Sequence, residues 1–171
     1  KTFETFNPHD GATIATVEDI NAAVQSAKRA FHRNSEWRLM DASQRGKLLN
    51  KFADLVDRDA DYLAELETYN NGMVLTMSRG FIGAAAYHIR YNASLADKIQ
   101  GSTIPCDGDV FSYTLKQPVG VCGLILPWNA PILMFISKVT TALATGESIT
   151  VHHHHDQPIA GSLQSTGLLS E

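Results

Sequence analysis

The chain has 171 residues, 44% of them hydrophobic, and a formal charge of -4. One globular domain with a real core fits that length. The charge gives no reason to expect nucleic-acid binding, and no apolar run approaches the length of a membrane span. Lys1 begins mid-pattern, so no signal peptide is expected and a leader is expected to be missing.

Lys1 to Thr16 alternates like strands broken by Asn7-Pro8 and Asp10-Gly11, which predicts a hairpin. Thr16 with Asp19 three residues on resembles a capping box, and Ile20, Ala23, Val24, Ala27 and Phe31 share a helical face after it. A second helix is predicted from about Asp41 to Arg58, with Leu48, Leu49, Phe52, Leu55 and Val56 as its buried stripe. A third runs from about Ala60 to Asn70 and ends at Gly72. A longer one, Val74 to Ile99, carries Ile82, Ala85, Ala86, Ile89 and Leu95 inward. Gly80 and Gly83 within it suit a close helix approach, at a cost of about 1 kcal/mol each relative to Ala. Gly101 to Lys116 reads as two short strands around Asp107-Gly108-Asp109. Strand Val121 to Leu126, helix Pro131 to Thr145, strand Ser148 to Val151 and helix Pro158 to Ser170 then form a βαβα unit. The fold class is therefore α/β: N-terminal helices plus half of a Rossmann-like parallel sheet.

Residues 119 to 131 are the most informative stretch. The run Val119 to Leu126 has too few polar residues for a half-exposed strand, so it is predicted to be covered on both faces. It stops at Pro127-Trp128-Asn129, and Pro131 suits a first helical turn. Parallel sheets bind ligands just past the carboxyl ends of such strands, which is where Asn129 falls.

Pro118-Val119-Gly120-Val121, Pro127-Trp128-Asn129, Pro131, Lys138 and Ala142-Leu143-Ala144-Thr145-Gly146 resemble the cofactor-binding domain of aldehyde dehydrogenases. The resemblance extends through Phe6-Asn7-Pro8, Trp37-Arg38, Arg45, Leu48-Leu49, Leu66-Glu67-Thr68, Asn71-Gly72, Gly101 to Pro105 and Phe111-Ser112-Tyr113. It covers nearly the whole chain, with the motifs in order, and it is nearest to the cytosolic, retinal-type branch. It implies that residues 1–171 are a partial cofactor-binding domain, like about the first third of the family's length. The family's cysteine nucleophile and glutamate base lie further along than Glu171, so the catalytic domain is expected to be absent. It further implies that the arm at about 101–117 builds a homo-oligomer, a dimer or a tetramer.

The resemblance also assigns roles. Asn129 corresponds to an oxyanion-hole amide, a type of donor whose loss costs on the order of a hundred- to a thousandfold in rate; the alternative is a cap for the helix begun by Pro131. Ile125, Leu126, Pro127 and Trp128 correspond to the lining of the NAD pocket, with simple packing the alternative for Trp128. Lys138 matches a lysine near the active site or is an ordinary surface lysine. Glu147, after Gly146, is expected to be a solvated turn residue.

The departure lies at Val151-His152-His153-His154-His155-Asp156. The family carries a lysine and a glutamate, three apart, that hold the adenosine ribose; the matching positions are His152 and His155. Histidine is mostly neutral at pH 7 and is a weaker acceptor than a carboxylate. Losing both contacts is expected to weaken cofactor binding by roughly a hundred- to ten-thousandfold. NAD is thus expected to be weakly bound or lost. The histidine run is too short and too internal for a purification tag. Consecutive side chains diverge on a strand, so a solvent-exposed loop that has lost its ligand is expected, with metal binding the alternative.

Cys106 and Cys122 read as unpaired and reduced, Cys122 as a packing residue in its strand, and Asn92-Ala93-Ser94 as a chance sequon. The protein is expected to be cytoplasmic. The expected function is that of a catalytically silent, structural relative like the omega-crystallins of mollusc lenses; the alternative is a fragment of an active NAD-dependent aldehyde dehydrogenase. A free-standing binding domain is the weakest reading, because half a sheet leaves an unpaired edge.

Overall fold

The computed structural model describes residues 3–6, 13–17 and 20–153. The predicted hairpin is there: β1 (Phe3–Phe6) pairs antiparallel with β2 (Thr13–Val17). Thr16 lies inside β2, and α1 (Ile20–Ala30) starts later, so Thr16 does not cap that helix. Within residues 21–30 of α1 Ala27 is buried, Val24 is half-buried and Ala23 is exposed. A short helix not foreseen from the sequence, α2 (Glu36–Leu39), follows. Its N-cap is Ser35, whose hydroxyl accepts from the Arg38 N–H at 3.2 Å.

Three long helices make the core: α3 (Ala42–Arg58), α4 (Ala60–Asn71) and α5 (Leu75–Leu95). The predicted stripes hold with two exceptions. Leu48 is 46% exposed on α3, and Leu95 is exposed where α5 ends, several residues short of Ile99. Helix α4 closes on Gly72, in the left-handed region at φ 75, as the sequence suggested. Gly80 and Gly83 face open space, so they serve no close approach within the described residues. The close approach is at Gly46, where a Cβ would lie 2.9 Å from the Ala93 carbonyl oxygen of α5.

The arm keeps only two-residue strands, β3 (Thr103–Ile104) and β4 (Ser112–Tyr113), paired antiparallel. Then come β5 (Val121–Leu126), α6 (Pro131–Thr145) and β6 (Ser148–His153), two strands in parallel register joined through α6. The segment Pro158 to Ser170 lies outside the described residues. Helix α6 buries Ile132, Phe135, Ile136 and Val139 against Ile82, Ile89 and Ala93 of α5. Each such large apolar side chain contributes about 1.5–3 kcal/mol. Leu126 is buried and Leu124, Ile149 and Val151 pack on the same core, whereas Gly123 and Ile125 are exposed. Among the described residues β5 is therefore covered on one face, not on both. Among them its apolar run alternates between the core and a face left open. No helix among them is long and apolar enough to cross a membrane.

The α5–α6 contact is pinned by a buried polar link, with the Asn92 amide donating to the hydroxyls of Thr140 and Thr141 at 2.9 and 3.2 Å. Buried in a helix, Asn92 offers no glycosylation site, which supports the chance reading of its sequon.

Candidate functional site

The parallel register sets Ile125 opposite His152 and Leu126 opposite His153, so the carboxyl ends of β5 and β6 form one rim. Ligands of open parallel sheets sit beyond such ends. Leu126 is 1% exposed and belongs to the core, so only its backbone is available there. Ile125 is 68% exposed and Trp128 61%, so among the described residues neither side chain is buried. Pro127 is half-buried and Asn129 is exposed. Lys138 does more than a surface lysine: from α6 its ammonium donates to the Ile125 carbonyl at 2.7 Å and ties the helix to the strand end. The side chain of His152 and the whole of His155 lie outside the described residues.

Asn129 is not the cap of α6. Ala130 occupies the N-cap position, without a side-chain cap. The capping acceptor comes instead from α4. Glu67, with no exposed surface, accepts the Ile132 N–H at 3.3 Å and the Asn71 amide at 3.3 Å. Asn71 also donates to the Asn129 carbonyl at 3.2 Å. Burial pushes the Glu67 carboxyl up to about 7, partly opposed by those two hydrogen bonds. Neither residue was given a role from the sequence, although the spacing held a signal: Leu63, Ala64, Glu67 and Asn70 form the buried stripe of α4, and a carboxylate in such a stripe needs partners.

The opposite, amino end of the strands is anchored by Glu147. It is buried, contrary to the solvated reading, and its carboxylate accepts from Val119 N–H at 2.7 Å and Gly120 N–H at 2.6 Å. Its own carbonyl accepts the Trp37 indole N–H at 2.9 Å. Gly146, at φ 87, ends α6 in a conformation that L side chains rarely adopt. A Cβ there would lie 3.3 Å from the Arg45 guanidinium carbon and from Pro118. Burial, then the nearby Arg38, lowers the Arg45 pKa, with Asp41 opposing. Cys122 is half-buried and its thiol is pushed up by burial and then by Glu147, which fits packing and not nucleophilic chemistry. Cys106 is exposed in the arm. Among the described residues no cluster of three or more histidine, cysteine or carboxylate side chains could hold a metal.

The rim thus offers an exposed side-chain amide, an exposed indole, an open apolar position and a backbone edge. That set suits a ligand with a flat ring and a polarised oxygen. At β6 the residue in register with Ile125 is histidine, which supplies neither an ammonium nor an acceptor-only anion.

The match to the aldehyde dehydrogenase family runs over residues 1–168. Mitochondrial aldehyde dehydrogenase of Equus caballus is 48% identical over 165 residues, 93% of this chain and 33% of that protein. Aldehyde dehydrogenase 1A1 of Mesocricetus auratus is 45% identical over 177 aligned positions, 100% of this chain and 35% of that protein. Among solved structures, PnpE in complex with nicotinamide adenine dinucleotide superposes with a TM-score of 0.87 at 35% identity, over 99% of this chain and 35% of that one. The chain spans about a third of the length of the curated relatives it matches. A sequence match that spans residues 1–168, and a likeness in fold to an NAD-bound structure, lead to one conclusion: the chain belongs to the aldehyde dehydrogenase family.

Proposed function

We propose that residues 1–171 form part of the cofactor-binding side of an NAD-dependent aldehyde dehydrogenase whose grip on the adenosine end of the cofactor is weakened. The observation that carries this reading is the rim itself: Ile125, Trp128 and Asn129 exposed beyond β5, with histidine in register on β6. Ile125, Trp128 and the backbone of Leu126 and Pro127 would hold the dinucleotide, which when bound supplies the hydride acceptor. The Asn129 amide would donate to the aldehyde oxygen as charge develops on it. Lys138 keeps the Ile125 carbonyl engaged and so fixes the strand end. His152 and His155 replace the ribose contacts with weaker ones.

Calorimetric titration of NAD into the protein that carries this chain tests the reading. Binding is expected to be weak, and the double variant His152→Lys, His155→Glu should tighten it by about a hundred- to ten-thousandfold. Micromolar binding by the unaltered protein, or no gain in the variant, would refute the weakened grip. The same two histidines support a second reading, a catalytically silent structural protein like the omega-crystallins. It requires no saturable NAD binding and no aldehyde-dependent NADH formation.

We also assign the arm at 101–117 to contacts between copies in a homo-oligomer, supported by the exposure of Ile104, Val110, Phe111 and Leu115, and the protein to the cytoplasm.

A further inference from the structure

We propose that Glu67 and Asn71, on the last turn of α4, are positioning residues for Asn129. The proposal rests on Asn129 acting as the oxyanion donor. Helix α6 begins without a side-chain cap of its own, and α4 supplies the missing contacts on both sides of Ala130. On one side the Asn71 amide nitrogen holds the Asn129 carbonyl at 3.2 Å. On the other Glu67 holds the Ile132 N–H at 3.3 Å. The two holders are joined, since the same Asn71 nitrogen donates to Glu67 at 3.3 Å. The orientation of the Asn71 amide is settled locally, because its oxygen accepts the Met73 N–H at 2.8 Å and the nitrogen must point the other way. The end of α4 is itself fixed by Gly72, whose N–H returns to the Thr68 carbonyl, and by the Thr68–Ser78 hydroxyl contact with α5 at 2.9 Å.

The clamp thus grips the backbone of Asn129 and leaves its side chain exposed to face a ligand. An ionised Glu67 accepts from both partners. Protonation adds an O–H to one oxygen and makes that oxygen a weaker acceptor, so the contact made by that oxygen weakens. Among the described residues no charged side chain of the packed elements α3, α5 or α6 acts on this carboxyl; burial, the Ile132 N–H and the Asn71 amide do.

The test uses the protein that carries this chain, with hydrogen exchange of residues 128–134 and steady-state NADH formation from an aldehyde. Asn71→Ala should speed exchange in that segment and lower kcat by about two- to tenfold, the value of one hydrogen bond, with KM within about twofold. In the unaltered protein the protection factor at Ile132, which is exchange corrected for its base-catalysed intrinsic rate, and kcat should share a pH-dependent component across about pH 6 to 8, and Glu67→Gln should remove that component from both. Asn71→Asp provides no rescue, because it lacks the donor. Unchanged exchange in Asn71→Ala overturns the clamp. Faster exchange with an unchanged kcat overturns the positioning role while leaving Asn129 as donor. No turnover in the unaltered protein at saturating NAD, with the clamp intact by exchange, overturns the reading of Asn129 and the positioning role with it.

Discussion

Glu147→Ala separates the sequence reading from the structure most sharply. As a solvated turn residue Glu147 would be worth no more than about 0.5 kcal/mol. The structure makes its carboxylate the acceptor for two backbone donors at the start of β5, at 2.7 and 2.6 Å. Hydrogen bonds to a charged group contribute about 1.5–3 kcal/mol each. Val119 is exposed, so its N–H regains water when the carboxylate is removed. Gly120 is buried, and its N–H is left without an acceptor. The expected loss is therefore about 3 kcal/mol or more, dominated by Gly120. Urea unfolding followed by tryptophan fluorescence measures it, because Trp37 donates to the Glu147 carbonyl and reports on this corner. Hydrogen exchange at Gly120 should accelerate in the same variant. A loss below about 1 kcal/mol, with Gly120 still protected, would show that the contact is not what holds the strand.

Two further outcomes follow from the same physics. The Glu67 carboxyl rises from 4.5 to about 7, so between those values the folded protein holds a proton that the unfolded chain has released. Stability must then fall as pH rises through that window, by about 3 kcal/mol in all, and Glu67→Gln should flatten the fall. Urea midpoints of both proteins at about pH 5 and about pH 8 check this, and parallel curves would contradict it. In the arm, Phe111 and Leu115 are 77% and 69% exposed. Changing both to Asp should reduce the mass measured by sedimentation equilibrium, since charge is costly in a buried contact; an unchanged mass would remove the arm from the interface.

The sequence by itself determined the elements whose information is local. Period-3.6 stripes located α3 and α5, and Gly72 ended α4 where a left-handed residue is needed. Pro131 opened α6. Motif order along the chain gave the family. Local pattern failed where a residue's state depends on a distant partner. Glu147 looks solvated beside a helix-ending glycine, yet it is buried and takes the N–H of Gly120, 27 residues away and just before β5. Asn129 carries capping as its alternative role, yet Glu67, 65 residues before Ile132, supplies the capping acceptor. The run Val119 to Leu126 reads as doubly buried, yet among the described residues Ile125 faces outward. Sequence alternation records which residues are apolar, not how many layers pack on the strand. Only the tertiary structure decided these points, because the desolvation of a carboxylate and the acceptor for a backbone N–H are set by what folds over them.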